Sequence, residues 1–282
     1  MRLAIVGASG LVGRELVKIL EERKKLPLSS LTLFSSKRSA GLTTSFKGAA
    51  VSYQELKANE SFSGYDLVFF TASSQVSSEF VPRALQAGCL VIDNSSFFRL
   101  EKNVPLIVPE VNKNELLPGR NQLVANPNCT TIQLVVALKP ILDFYGIEHV
   151  VLTSFQAVSG KGFFGMEELK SQVHHYVDQS LNAFKTEVFT HPIAFNCIPH
   201  IGEFQSDNFT GEEHKVINET RKILAQPDLR ISATCVRVPV WNGHSESVHI
   251  RTKKPVIINE LRELLRKAPG IKLEDTPQES VY

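Results

Sequence analysis

Apolar runs and amphipathic stretches alternate through the first half of the chain, and their spacing predicts strands and helices in turn. Leu3-Ala4-Ile5-Val6 is an unbroken apolar run, as expected of a strand buried on both faces. Gly7-Ala8-Ser9-Gly10-Leu11-Val12-Gly13 follows at once. From Arg14 to Lys25 the pattern predicts an amphipathic helix, with Leu16, Val17, Ile19 and Leu20 apolar and Glu21 to Lys25 as a solvated end. Leu31-Thr32-Leu33-Phe34 predicts a second strand and Leu67-Val68-Phe69-Phe70 a third, the latter closing in Thr71-Ala72-Ser73-Ser74. A helix is expected from Glu79 to Ala87, ended by Gly88, and then a strand at Leu90-Val91-Ile92-Asp93. Leu106 to Glu110 precedes another short run, Gln122-Leu123-Val124-Ala125. Ile132 to Leu138 reads as a buried helix stopping before Pro140. Such alternation predicts a parallel, doubly wound α/β sheet.

Beyond that helix the period changes. Glu148 to Gln156 is a long β-rich stretch, and about Gly165 to Ala183 predicts a long polar helix. Thr210-Gly211-Glu212-Glu213-His214-Lys215 opens another helix running through Ile223. Ser232 to Val240 and Glu246 to Arg251 alternate as strands, joined by Trp241-Asn242-Gly243-His244-Ser245. Asn259 to Lys267 is a last helix. This half predicts an α+β domain with a mostly antiparallel sheet.

Composition changes this picture little. The 282 residues suffice for two domains, and 43% hydrophobic with 21% charged residues is ordinary for a globular chain. A net charge of +2 without a Lys/Arg block disfavours nucleic acid and anionic membranes as partners. No apolar run approaches a membrane span, and the segment before Gly7 is too short for a signal-peptide core. Cys89, Cys129, Cys197 and Cys235 are widely separated, without a C-x-x-C pair, so no zinc ribbon is expected and a reducing cytoplasm is the simplest home. The histidines, His174-His175 included, show no metal-ligand spacing.

Two stretches carry candidate chemistry. The glycines Gly7, Gly10 and Gly13 form G-x-x-G-x-x-G between strand and helix, a variant of the dinucleotide fingerprint of a Rossmann-like sheet. An NAD site would place Asp or Glu after the second strand; Ser35-Ser36-Lys37-Arg38-Ser39 supplies hydroxyls and cations instead, which suits the 2′-phosphate of NADP. The second stretch is Asn126-Pro127-Asn128-Cys129-Thr130-Thr131. Asn128 is a good N-cap residue, and Cys129 would begin a helix whose exposed N–H groups and dipole stabilise a thiolate. The plainer reading is a small buried cysteine.

These motifs, with Ser154-Phe155-Gln156-Ala157-Val158-Ser159-Gly160 and Cys235-Val236-Arg237 leading to Gly243-His244-Ser245, resemble aspartate-semialdehyde dehydrogenase over essentially the whole chain. The resemblance implies an NADP-binding domain at 1–128 and a catalytic, substrate and dimerisation domain at 129–282. It implies NADPH-dependent reductive dephosphorylation of L-aspartyl 4-phosphate, a step toward lysine, threonine, methionine and, in bacteria, diaminopimelate. Cys129 corresponds to the nucleophile and His244 to the acid/base residue. Gln156, Arg237, Glu212 and Asn128 correspond to substrate positions, and Arg99 and Lys215 to phosphate-binding cations. Gly7, Ser9, Gly10, Leu11, Val12, Gly13, Arg38, Ser39, Ser73, Ser159 and Gly160 correspond to cofactor positions. The implied partners are a small acyl phosphate, inorganic phosphate and other copies of the chain, as a homodimer or tetramer.

On the residues alone, Arg237 within Val236-Arg237-Val238 needs a buried anion or an ion pair, and Glu212 with Lys215 fits a solvated i,i+3 pair equally well. The resembled family carries a closing segment beyond the position of Pro277 to Tyr282, so a chain ending there is expected to fold but turn over poorly. Alternatives are an N-acyl-glutamyl-phosphate reductase and, in another class, a non-catalytic NADP-binding fragment. A hydrolase is disfavoured because no G-x-S-x-G elbow is present.

Overall fold

The computed structural model describes residues 1–23, 25–117, 119–180 and 185–281. They form two compact units. The first comprises Met1–Ile107, Asn114–Pro127 and Lys161–Glu167; the second comprises Val108–Lys113, Asn128–Gly160 and Glu168–Tyr282.

In the first unit, β1 (Arg2–Val6) lies centrally in a sheet ordered β3-β4-β2-β1-β5-β6-β7. The others are β2 (Ser30–Ser35), β3 (Thr43–Phe46), β4 (Ala49–Glu55), β5 (Leu67–Phe70), β6 (Leu90–Asp93) and β7 (Leu123–Ala125). All neighbours run parallel except the β3/β4 hairpin. Period-two alternation divides the core. Ala4, Val6, Phe34, Val68 and Phe70 join Phe80, Val81 and Ala84 of α2 (Ser74–Gln86) on one face. Leu3, Ile5 and Leu33 join Val17 and Leu20 of α1 (Leu11–Glu22) on the other. A strand covered on both faces has no position for a polar residue, which explains the unbroken run at the chain start. The predicted doubly wound sheet is present.

The pattern left the β3/β4 hairpin unread, because only Phe46 and Tyr53 of its strands are buried. Its turn is Lys47-Gly48 with φ of 51° and 78°, the positive pair that a tight two-residue hairpin needs.

The second unit is built on β8 (Ile147–Gln156), which pairs antiparallel with β10 (Ser245–Thr252) and parallel with β9 (Arg230–Arg237). An antiparallel bridge joins Arg237 to Ile198. Thus β9 and β10, consecutive in sequence, do not pair; β8 lies between them. A short α3 (Pro109–Asn112) belongs to this unit. The longer helices are α4 (Cys129–Tyr145), α5 (Gly162–Val177, its first turns clustering with the first unit), α6 (Gly211–Ile223) and α7 (Ile258–Lys267). Helices α4 and α6 cover the sheet face that carries Val150, Leu152, Ser154 and Gln156, all buried. Val151 and Phe155 point the other way and are 40% exposed.

Two helix limits differ from expectation. Helix α4 starts earlier and runs through Pro140 to Tyr145, because Leu138, Ile141 and Tyr145 are all buried and their packing outweighs one missing hydrogen bond. Helix α5 runs from Gly162 to Val177; residues 181–183 of the predicted helix lie outside the described residues. Among the described residues, no helix is long and apolar enough to cross a membrane, and no cluster of His, Cys, Asp or Glu could hold a metal ion.

Candidate active site

Cys129 opens α4, and it is exposed. Asn128 caps the helix: its Oδ1 accepts from the N–H groups of Thr130 at 2.9 Å and Thr131 at 3.3 Å. The rest of Asn128 is held from α6. Its Nδ2 donates to Glu212 at 2.8 Å, and its backbone N–H donates to Glu219 at 2.6 Å. The two carboxylates lie seven residues apart, hence on one face of the helix. Glu219 was missed in the sequence, although this spacing could have suggested it. Helix α6 is itself fixed by a capping box, Thr210 with Glu213.

His244 lies just before β10, with Nε2 3.1 Å from the Cys129 sulfur. The backbone N–H of Ala157 donates to His244 Nδ1 at 3.0 Å. An N–H can only donate, so Nδ1 is the acceptor and the neutral ring carries its proton on Nε2. Burial and the nearby Arg237 push the imidazole below its ordinary value, which keeps the ring neutral. It therefore meets the sulfur as a hydrogen-bond donor that favours thiolate. A base at Nε2 would need the other tautomer, with N–H facing N–H at Ala157.

Arg237 ends β9, 4% exposed. Its Nη1 donates to the Ala157 carbonyl at 2.6 Å, and its guanidinium lies 6.0 Å from the centre of the Phe189 ring. Burial lowers its affinity for a proton, and Glu212 acts in the opposite direction. The loop carrying Phe189 is anchored by α5. Glu168 accepts from the N–H groups of Glu187 and Val188, and Gln172 from those of Ile193 and Ala194. A Cβ on Gly160 would fall 2.8 Å from Arg237 Nη1, so Gly160 makes room for the guanidinium. Ser159 donates to Asn242.

Gln156, fully buried at the end of β8, pairs in register with Arg237. Burial alone would push the Glu212 carboxyl up, yet Lys215 and hydrogen bonds from Asn128, Lys215 and Gln156 hold it below its ordinary value. Lys215 lies 3.2 Å from Glu212, so the i,i+3 pair forms, but around a buried carboxylate. Cys129, His244, Gln156, Arg237, Glu212, Asn128 and Lys215 all belong to the second unit.

The remaining predicted positions lie in the first unit, apart from Ser159 and Gly160. Arg99 is buried and donates to the Asn94 carbonyl at 2.9 Å. Ser73 caps α2. Gly7 (φ 86°) ends β1 where a Cβ would lie 2.9 Å from the backbone of Thr71 and Ala72; one on Gly13 would lie 2.5 Å from the Gly7 carbonyl. Gly10 caps α1 and, having no side chain, makes no cap hydrogen bond to the first N–H groups. This glycine-lined turn fits a dinucleotide pyrophosphate, the fit being made at the switch between β1 and β5. Arg38 is exposed after β2, with its guanidinium 5.3 Å from the Phe164 ring centre; Ser39 is half-buried beside it.

A dinucleotide-type sheet in one unit and a capped cysteine hydrogen-bonded to histidine in the other point to a class: a dehydrogenase. The family models agree, "Semialdehyde dehydrogenase, NAD binding domain" matching residues 2–117 and "Semialdehyde dehydrogenase, dimerisation domain" residues 138–281. Among relatives, the aspartate-semialdehyde dehydrogenase of Aquifex aeolicus is 45% identical over 282 residues, covering 100% of this chain and 82% of its own length. The crystal structure of aspartate semialdehyde dehydrogenase II from Vibrio cholerae complexed with ASA superposes with a TM-score of 0.92 at 39% identity, covering 98% of this chain and 82% of that one. A more distant structure, the Candida albicans enzyme with NADP, has a TM-score of 0.69 at 25% identity, covering 99% and 78%. The chain belongs to the aspartate-semialdehyde dehydrogenase family.

Proposed function

We propose that the chain reduces L-aspartyl 4-phosphate to L-aspartate 4-semialdehyde with NADPH, through a thioester on Cys129. The observation that carries this reading is the Cys129–His244 contact of 3.1 Å at the start of a capped helix. The thiolate attacks the acyl carbon, the carbon–oxygen bond to phosphate breaks, and phosphate leaves as hydrogen phosphate, taking from solvent the one proton that the overall reduction consumes. Bound NADPH supplies hydride to the thioester. The resulting alkoxide collapses, breaking the carbon–sulfur bond and returning aldehyde and thiolate. No step in this sequence requires a proton from the imidazole. Nε2–H of His244 instead donates to sulfur at rest and to the developing oxyanion in turnover.

Arg237 is proposed to bind the substrate carboxylate as a fork, with Gln156 and Asn128 lining the site and Glu212 taking the amino group. Arg99 and Lys215 are proposed as the phosphate cations. Gly7, Ser9, Gly10, Leu11, Val12 and Gly13 would hold the pyrophosphate. Arg38 and Ser39 would hold the 2′-phosphate, which selects NADP over NAD, with Ser73, Ser159 and Gly160 completing the cofactor positions. Residues 1–128 would be the NADP-binding domain and 129–282 the catalytic and dimerisation domain. We place the enzyme as a homodimer or tetramer in a reducing cytoplasm, where the thiol stays free, on the route to lysine, threonine, methionine and diaminopimelate.

The test is the reverse assay with L-aspartate 4-semialdehyde, phosphate and NADP. Phosphate-dependent appearance of NADPH is expected. Turnover of an N-acyl-glutamate semialdehyde in its place would overturn the substrate assignment, and cofactor binding without turnover of either would make the chain non-catalytic.

A further inference from the structure

One turn along α4 from Cys129, on the same helix face, is Gln133. Two residues along the chain from His244, at the start of β10, is Glu246. Gln133 Nε2 donates to Glu246 Oε1 at 2.8 Å. Helix α4 and the start of β10 are thus joined by two rungs, Cys129 to His244 and Gln133 to Glu246. Only the first rung contains reacting atoms.

We propose that Gln133 and Glu246 are a positioning pair that keeps His244 aligned on the Cys129 sulfur. The inference rests on the thioester reading above. His244 lies in a loop after Gly243 (φ 86°) and outside the sheet ladder, so its ring is placed by Ala157 on one side and by the run of β10 on the other. Glu246 is the first residue inside β10 that ties this strand to the helix bearing the nucleophile.

The surroundings of Glu246 suit a half-buried hydrogen-bond acceptor. It pairs across β10 with Ser154 of β8, which pairs in turn with Cys235 of β9, so the three share one row, two residues along the strands from the Gln156–Arg237 pair. Ser154 and Cys235 are fully buried. The titratable and charged groups around this row are Cys129 from α4, Cys235 and Arg237 from β9, Glu212 and Glu213 from α6, and His244 from the loop before β10. Burial pushes the Glu246 carboxyl up to about 7, while the Gln133 hydrogen bond acts to lower it. The Cys235 thiol is pushed up to about 12, chiefly by burial, and stays protonated.

The test compares Gln133→Ala, Glu246→Ala, the double variant, Glu246→Gln and Gln133→Glu in the full 282-residue chain. The readouts are kcat, the KM values for semialdehyde and phosphate, and the pH dependence of Cys129 alkylation by iodoacetamide, followed by peptide mass spectrometry. Each alanine variant is expected to lower kcat about tenfold, the scale of one charged hydrogen bond, with little change in KM. Alkylation of Cys129 should begin at higher pH, since Nε2–H no longer favours the thiolate. The double variant should be no worse than either single one, because both remove the same rung. Glu246→Gln should recover most of kcat, its carbonyl accepting from the same amide.

If the alanine variants fail to fold, Gln133→Glu decides. Two facing carboxyls can share a proton below neutrality and repel above it, so its loss of kcat should appear only as pH rises. Wild-type alkylation and kcat profiles in the folded variants, or additive losses in the double variant, would overturn the positioning role and leave the thioester intact. Persistent turnover in Cys129→Ser would instead sink the thioester reading, while the alkylation profiles still judge the rung.

Discussion

His244 and Arg237 converge on one residue, Ala157, whose N–H holds the imidazole and whose carbonyl holds the guanidinium. Replacing Cys129 with Ser keeps the cap but substitutes a hydroxyl that does not ionise near neutrality, so turnover should be abolished. The same change at Cys89, Cys197 or Cys235 should leave turnover measurable. Selective labelling needs care, because Cys197 is exposed as well as Cys129. Arg237→Lys should be severely impaired in kcat/KM for the semialdehyde, since an ammonium cannot reproduce a planar fork and would abandon Phe189. Wild-type kcat/KM in that variant would remove Arg237 from the carboxylate site. Arg38→Ala should weaken NADPH binding by about 1.5–3 kcal/mol and leave NADH nearly unchanged. Its guanidinium also rests against Phe164, so an equal loss for both cofactors would assign it to packing.

At the scale of elements, the start of α4 is the most heavily constrained point. Asn128 caps the helix, donates to Glu212 and is held by Glu219. Asn128→Ala should cost about 0.5–2 kcal/mol from the cap alone, read by denaturant unfolding. Asn128→Asp is more discriminating. It preserves the cap acceptor but sets a carboxylate against Glu212, so its cost should shrink as pH falls and one of the two is protonated. A pH-independent cost would mean that the contact with Glu212 contributes little. The cap and the cysteine were legible in Asn128-Cys129-Thr130-Thr131, because a turn dipeptide before an apolar run is a local signal. Continuation through Pro140 was not, because it depends on the burial of Ile141 and Tyr145.

For the whole molecule, two carboxyls, Glu212 buried and Glu246 half-buried, set opposing pH dependences. Glu246 has its folded value raised to about 7 from an ordinary 4.5, so its contribution is fully present below the ordinary value and is lost as pH rises through about 7. Glu212 is lowered, so its contribution is present above the ordinary value and lost as pH falls through its folded one. Glu246→Gln removes only the first effect. Relative to that variant, the wild-type midpoint of thermal unfolding should fall between about pH 5 and about pH 8. Parallel curves would mean that Glu246 titrates normally in the folded chain.

The alternation of Leu3-Ala4-Ile5-Val6 with an amphipathic helix, the glycine turn between them and the Asn-Cys cap are local patterns. They were enough to predict the parallel sheet, the glycine turn after its first strand and a cysteine at the start of a capped helix. The sequence by itself also grouped Arg237, Gln156 and His244 as candidates, through motifs. What only the tertiary structure decided is which groups meet. Inserting β8 between β9 and β10 sets Gln156 beside Arg237 and brings His244 to Ala157. That contact chooses the imidazole tautomer, and the crossing of α4 over β10 chooses Glu246 as the partner of Gln133. These pairings join residues about a hundred positions apart, and periodicity reaches only a few residues along the chain. Burial completes the difference: it makes a carboxyl two residues from the histidine titrate near neutrality, a property that no local pattern of polar and apolar positions contains.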